Sequence, residues 1–203
     1  LAERFPDAPI LTLFRRTEFT GEPWDHREIR TSFLQRLAWI PGLQRKALPL
    51  LPAASRSLDA TAFDVVICSD ASTIKAIHTR RDAVKICYCH SPVRYVYDLY
   101  EDYIARSGFV GLLGLKLSAP SIRRADRQAA DTVTAFIANS RCVADRIRRA
   151  YGRPSVVIPP PVETSIPCAD EPPEDFYLVV GEHVPYKRHD LAIEACRRLG
   201  RRL

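Results

Sequence analysis

The chain has 203 residues, enough for one complete domain and part of another, since domains typically contain about 100 to 200 residues. Hydrophobic residues make up 46% and charged residues 27%, which excludes a disordered or fibrous protein. The net charge of +6 and the pI near 9.1 suit an anionic small molecule, a membrane surface or a nucleic acid about equally well. Charge alone therefore does not choose a partner.

The cysteines and the most apolar run bear on the location of the protein. Six cysteines contain no C-x-x-C pair, and no signal-peptide pattern is seen, which predicts reduced thiols in the cytoplasm. The run at 108–117 is far shorter than the roughly 20 residues that cross a bilayer. The chain lacks methionine and begins Leu1-Ala2-Glu3, so we expect it to be a piece of a longer product.

Short runs rich in Val and Ile alternate with stretches of helical period, which predicts an α/β fold with a mostly parallel sheet. The predicted strands are 10–14, 63–68, 84–89, 135–138, 156–158 and 176–180. The predicted helices are 28–39, 43–51, 71–79, 94–105, 110–131 and 140–151, and a last one follows the turn at 181–185. The helix at 140–151 has Ser140 as its N-cap and Gly152 where a C-cap belongs.

A proline-rich, acidic segment at 159–174 is typical of an extended linker. We therefore predict a first domain at 1–162, a linker at 163–174 and the start of a second domain at 175–203.

Two adjacent cations, Lys187 and Arg188, are predicted in the first turn of the last helix. Cations are unfavourable at a helix N-terminus unless an anion is bound, so this arrangement indicates a diphosphate site. The alternative is a solvated pair, offset by Asp190 and Glu194.

His90 and Ser91 follow a predicted buried strand, at the sheet edge where ligands bind in such folds. A histidine there can hydrogen-bond a sugar hydroxyl or stabilise developing charge, although a structural histidine is the commoner case. Cys87 and Cys89 lack a second pair of ligands, so no metal site is predicted with His90.

Other candidates surround this edge. Tyr95 and Tyr97 are predicted to face a cleft, whereas Tyr100 and Tyr103 lie on the apolar face of the 94–105 helix and are predicted to be core. Arg94 could meet an anion or be solvated.

Asn139 and Ser140 close a strand and open a helix, either as a ligand site or, more simply, as an N-cap. The arginine-rich stretches after 122 and 140 are usually solvated faces, with an anionic lipid surface as a weaker alternative.

Five segments in this order resemble family 4 glycosyltransferases, a retaining group with two facing Rossmann-like domains. They are Phe5-Pro6-Asp7-Ala8-Pro9-Ile10, Cys89-His90-Ser91-Pro92-x-Arg94-Tyr95, Phe136-Ile137-Ala138-Asn139-Ser140, residues 157–162, and Val184-Pro185-Tyr186-Lys187-Arg188. The resemblance is to bacterial enzymes of O-antigen or exopolysaccharide synthesis, often mannosyltransferases. It implies a Rossmann-like first domain and the first βα unit of a second.

The resemblance also implies a nucleotide-sugar donor, a polyprenyl-diphosphate-linked or oligosaccharide acceptor, and no metal or other cofactor. His90 would approach the donor sugar, Lys187 would hold its diphosphate, and Arg188 would lie close by. Many relatives have an arginine where this chain has Glu182, whose carboxylate would repel phosphate. Relatives also carry segments before and after the part seen here, so we expect residues 1–203 to be inactive alone. The rival hypotheses are a basic nucleic-acid-binding domain and a non-catalytic relative.

Overall fold

The computed structural model describes residues 3–16, 24, 26–40, 47–106, 108–165, 172, 174–184 and 187–203. The chain divides into two compact units, Leu1–Pro160 and Pro161–Leu203. The first unit contains β1 (Ile10–Thr12) and β2 (Ile29–Thr31), which form a parallel pair. It also contains a four-stranded parallel sheet in chain order, formed by β3 (Val65–Asp70), β4 (Val84–Cys89), β5 (Ala135–Ala138) and β6 (Val156–Val157).

The helices of the first unit are α1 (Leu51–Arg56), α2 (Tyr100–Arg106), α3 (Phe109–Asp131) and α4 (Arg141–Tyr151). Short 3-10 helices form at Phe33–Leu37, Leu48–Leu50, Ile74–Ala76 and Arg94–Val96. The parallel α/β architecture predicted from the alternating pattern is confirmed, and this unit has a Rossmann-like fold.

The predicted helix at 140–151 is confirmed together with both of its caps. Ser140 Oγ accepts a hydrogen bond from the backbone N–H of Val143 at 3.2 Å. Gly152 has a φ of +66°, the left-handed conformation that ends helices and favours glycine. Val143 and Ile147 of α4 are buried in the same core as Cys87 on the sheet.

The predicted helix at 28–39 is wrong. Residues 29–31 form β2, and a 3-10 helix follows, because Ser32 turns the chain between them. Its hydroxyl donates to the carbonyl of Leu13 at 2.6 Å and accepts from the N–H of Leu34 at 3.2 Å. The second of these bonds satisfies a backbone N–H that a continuous helix would have used.

Three other predicted helices also differ from the structure. Residues 43–46 of the helix at 43–51 lie outside the described residues, and α1 begins at Leu51 with Pro52 in its first turn, where a missing N–H is tolerated. The segment 71–79 forms a single 3-10 turn. The helix at 94–105 is interrupted, since Tyr97 has φ −119° and ψ −105°, and α2 begins at Tyr100.

The second unit contains α5 (His189–Leu199), which ends at Gly200 with a φ of +61°. The described residues of this unit form no strand, so the strand predicted at 176–180 is not observed. One backbone bond does join this segment to the end of the chain, from Tyr177 N–H to Arg202 O at 3.0 Å.

Candidate active site

Residues at the ends of three neighbouring strands meet at the carboxyl edge of the parallel sheet. His90 follows β4, Ser69 lies near the end of β3, and Asn139 follows β5. His90 is half-buried, and its Nε2 lies 2.9 Å from Ser69 Oγ, within hydrogen-bonding distance. This edge is where doubly wound α/β folds bind ligands.

The backbone of His90 is held from both sides. Its N–H donates to the carbonyl of Asp70 at 2.8 Å, which extends the ladder between β3 and β4. Its carbonyl accepts from Asn139 Nδ2 at 3.3 Å. The ring of Tyr88 packs edge-on against the imidazole, with the centroids 5.2 Å apart. His90 is therefore fixed in position as well as placed at the edge.

Asn139 and Ser140 have structural roles in addition to their place at this edge. Ser140 Oγ donates to Asn139 Oδ1 at 3.1 Å and caps α4. The N-cap alternative for Ser140 is thus confirmed. Asn139 connects the β5 end to the main chain of His90, so the two candidate residues form one assembly.

Tyr95 is not in an open cleft, which corrects its predicted position. It is only 6% exposed and packs in a core cluster with Val93 and Val96. Tyr97 is half-buried against the same cluster, and burial raises the pKa of both tyrosines to about 12. Tyr103, predicted to be core, is 42% exposed. Because the predicted helix is interrupted at 97–99, Tyr95 turns toward the core and Tyr103 toward the surface.

Ser91 and Arg94 lie close to His90 in sequence but in different environments. Ser91 is 2% exposed, and its Oγ has no hydrogen-bond partner among the residues that the structure describes. Arg94 is exposed at the start of a 3-10 helix. The structure brings Ser69, His90, Asn139 and Ser140 together, while Tyr95 belongs to the core.

A network of buried charges connects the end of β3 to the loop that follows it and to α3. It was not predicted from the sequence. Lys75 Nζ is 2.8 Å from Asp70 Oδ2 and 2.5 Å from Asp126 Oδ1 in α3, and all three side chains are buried. Tyr151 at the end of α4 donates to Asp126 Oδ2 at 2.8 Å. Asp70 also accepts from the N–H groups of Ser72 and Ile74, which fixes the loop after β3.

The electrostatics of this network follow from burial and pairing. Burial by itself would lower the pKa of Lys75, but the charges of Asp70 and Asp126 raise it well above its ordinary value. Burial raises the pKa of Asp126, and the ammonium of Lys75 opposes that effect. Removing any one of these three groups would deprive a buried charge of a counterion, which would destabilise the folded protein.

In the second unit, Lys187 and Arg188 precede α5 instead of forming its first turn, which corrects the prediction. Arg188 is the N-cap residue, with a φ of +52°. Its guanidinium binds the carboxylate of Asp190 through Nε at 3.0 Å and Nη2 at 2.9 Å. Lys187 and Glu182 are exposed, and Tyr186 lies outside the described residues.

Cys87 and Cys89 of β4 belong to the core of the first unit. Cys87 and Cys89 are fully buried, and their mutual hydrogen bond together with burial raises the pKa of Cys87 far above its usual range. Among the described residues, no group of three or more His, Cys, Asp or Glu side chains is placed to hold a metal ion. In the same part of the chain, no helix combines the length and apolar character that a membrane crossing requires.

Comparison with known proteins identifies the family. The profile of Glycosyltransferase Family 4 matches residues 10–166, which is more than half of the 203 residues and includes β1 through β6 and His90. No curated protein and no solved structure gave a significant match. The family assignment therefore rests on the profile and agrees with the parallel α/β fold. The chain belongs to Glycosyltransferase Family 4 and carries a domain of an enzyme that transfers a sugar from a donor to an acceptor.

Proposed function

We propose that the protein transfers a hexose from a nucleotide-sugar donor with retention of anomeric configuration, and mannose is the first candidate for that hexose. The acceptor would be a polyprenyl-diphosphate-linked sugar or an oligosaccharide, in the synthesis of a cell-surface polysaccharide. The observation that carries the proposal is His90, held by Ser69 and Asn139 at the ligand-binding edge of a family 4 domain.

His90 is proposed to contact the donor sugar. Its Nε2 is engaged by Ser69, so Nδ1 is the nitrogen that would meet a sugar hydroxyl or charge that develops in the transition state. The exposed Arg94 and the pair Asn139 and Ser140 would complete the sugar and acceptor side.

Lys187 is proposed as the principal cation for the donor diphosphate. It directly precedes the Arg188 cap and α5, so phosphate oxygens would meet both an ammonium and the partial positive charge of a helix N-terminus. Arg188 is already bound by Asp190 and would contribute less. Glu182, in the preceding turn, would weaken donor binding by repulsion.

The proposed reaction needs no covalent sugar–enzyme intermediate. Within the described part of the His90 edge, the adjacent carboxylate is Asp70, which is buried and paired with Lys75 and so cannot act as a nucleophile. The acceptor oxygen would bond to the anomeric carbon as the bond to the diphosphate oxygen breaks on the same face. The acceptor proton would pass to the departing phosphate. Catalysis would rest on positioning and on stabilising the leaving diphosphate, without a metal or other cofactor.

The test is a transfer assay with the longest form of the protein that carries these 203 residues. It combines a panel of nucleotide sugars with polyprenyl-diphosphate-linked acceptors, in the presence and absence of EDTA. His90→Ala should lower kcat by about 100-fold or more, the scale of losing one transition-state contact. Lys187→Ala should chiefly weaken nucleotide binding, whereas Arg81→Ala, at an exposed position before β4, should change neither. Full activity of His90→Ala would refute the proposed role.

The rival functions predict different results. A nucleic-acid-binding domain would bind DNA or RNA with a steep salt dependence. Several arginines behind that hypothesis serve the fold instead, because Arg127 donates to Ala150 O and Arg146 pairs with Asp98. A non-catalytic relative would bind a nucleotide sugar without ever transferring the sugar.

A peripheral contact with the inner face of the cell membrane is also proposed, with the enzyme otherwise cytoplasmic. Leu113 and Leu117 lie one turn apart on α3 and are 49% and 73% exposed, and Lys116 lies between them. Such a pairing of exposed apolar and basic side chains suits an anionic lipid surface. Co-sedimentation with vesicles that contain an anionic lipid, compared for the wild type and Leu117→Ser, would test it.

A further inference from the structure

A cavity of about 310 Å³ lies at the amino edge of the sheet, the edge opposite to His90. Lys85, the second residue of β4, lies at its base, and the C-terminal turn of α3 borders it. Its polar lining consists of Arg56, His78, Thr79, Lys85, Gln128 and Thr132. Because β4 runs from Lys85 to His90, this cavity is separate from the candidate active site.

Among the described residues, basic side chains line the cavity and acidic ones do not. Arg56 at the end of α1, His78 and Lys85 all contribute to its wall. No ion pair of Arg56 or Lys85 occurs among the residues described by the structure. Convergence of cationic groups without a counterion creates a positive potential that attracts anions.

Two lysines are buried in the described part of this domain, and they provide an internal comparison. Lys75 lies between two carboxylates. Lys85 is 2% exposed, but its partners among the described residues are neutral oxygens. Its ammonium donates to the carbonyls of Lys75 and Ile77 and to the hydroxyl of Thr132, at 3.2, 3.0 and 3.0 Å. Burial accordingly lowers the pKa of Lys85. A buried charge without a counterion is costly, and a bound anion would offset that cost.

Nearby negative charge does not cancel the positive potential. The carboxylate of Asp59 faces His78 from the segment before β3, but it is bound to the N–H of Thr61 at 2.9 Å and does not line the cavity. Asp131 ends α3 and does not line it either. The carbonyl end of α3 offsets part of the Lys85 charge, since helix C-termini are partially negative. Arg56 remains unneutralised.

We propose that this cavity binds a phosphate group, with Arg56 as its direct charged contact, His78 as a hydrogen-bonding contact and the Lys85 ammonium beneath it. Gln128 and Thr79 would supply further hydrogen bonds from the wall. The group could belong to a free phosphate or diphosphate, or to the headgroup of an anionic phospholipid. The site is independent of the function proposed for His90 and Lys187.

The experiment measures binding of inorganic phosphate, diphosphate and phosphatidylglycerol vesicles to the full chain. Thermal shift and titration calorimetry are used, with sodium chloride at matched ionic strength as the reference. Phosphate or diphosphate should raise the Tm beyond the chloride reference. Arg56→Gln or His78→Gln should weaken binding about tenfold, the scale of one lost charge-assisted contact. Arg81→Gln, an exposed arginine before β4, is the matched control and should bind as the wild type does.

Each outcome decides the matter. Binding of the soluble anions that is lost in Arg56→Gln supports a free-anion site, and binding of vesicles alone that is lost in the same variant assigns the phosphate to a lipid headgroup. No binding of any probe, or binding that is unchanged in Arg56→Gln and His78→Gln, overturns the proposal. These two side chains are exposed, so their replacement should leave the fold intact. Loss of nucleotide binding in Lys187→Ala with phosphate binding retained would show that the two sites are distinct.

Discussion

Replacing Lys75 with methionine tests the energetics of the buried charge network. The variant keeps a side chain of similar length but leaves Asp70 and Asp126, which are 0% and 3% exposed, without their shared cation. Breaking a buried pair by removing one partner costs about 3 to 5 kcal/mol. Typical domains are stable by only about 5 to 15 kcal/mol. Lys75→Met should therefore lose a large part of the free energy of unfolding at pH 7.

The same variant should gain a characteristic pH dependence. Without Lys75, the ammonium that opposes the effect of burial on Asp126 is lost and the hydrogen bond from Tyr151 remains, so the pKa of Asp126 in the folded state should rise further. A raised pKa in the folded state means that stability is greatest below the unfolded value near 4 and falls as pH rises through the folded value. Lys75→Met should thus recover stability on acidification from pH 7 to pH 5, and recover more of it than the wild type does.

Urea denaturation followed by circular dichroism measures both effects. Lys116→Met, on the exposed surface of α3, is the control and should change stability by less than about 0.5 kcal/mol. The triple variant Lys75→Met/Asp70→Asn/Asp126→Leu should regain much of the loss, because it leaves no buried carboxylate unpaired and neutral groups often replace buried ion pairs without penalty. A Lys75→Met variant within about 1 kcal/mol of the wild type at pH 7 would refute the assignment of a buried charge.

Three further predictions concern other parts of the structure. Burial raises the pKa of Tyr95 and Tyr97 from 10 to about 12, so their contribution to stability should be constant below pH 10 and be lost as pH rises through 12, by about 2 to 3 kcal/mol for Tyr95; an absorbance titration that shows both tyrosines ionising near pH 10 would contradict this. Ser69→Ala should change the tautomer balance of the His90 ring in nitrogen NMR spectra, and Ser69→Thr should restore it; identical spectra for all three proteins would exclude the bond between them. Gly152→Ala should destabilise the protein by about 1 kcal/mol because φ is +66° there, and an unchanged Tm would argue against the left-handed cap.

The regular elements that could be predicted from the sequence are those in which one local pattern dominates. β4 and β5 have the predicted bounds because short apolar runs at 84–89 and 135–138 are buried in a parallel sheet. α4 was predictable because Ser140 and Gly152 act within a few residues of the ends that they cap. His90 could be placed at the sheet edge for the same reason, since its position depends only on where β4 ends.

Other features depend on partners that are distant in the sequence. The segment 28–39 has a helical period but does not form a helix, because Ser32 makes two hydrogen bonds, one of which reaches Leu13. Ser69 gave no signal of its own, because its partner His90 lies on another strand. Lys75 and Asp126 are far apart in the chain, so a single sequence does not show that they meet. Arg188 lies before α5 because it adopts the left-handed backbone conformation. The sequence did not indicate this, since arginine rarely adopts that conformation.

The Lys75 network also has a consequence for how the domain opens. One ammonium joins the end of β3 to the C-terminal half of α3, and Tyr151 connects the end of α4 to it through Asp126. If one of these segments unfolded alone, it would leave a charge without its counterion in the protein interior. We therefore expect amide hydrogen exchange in β3, α3 and α4 to occur through one shared opening event. These three elements, which support His90, should move as a single rigid body.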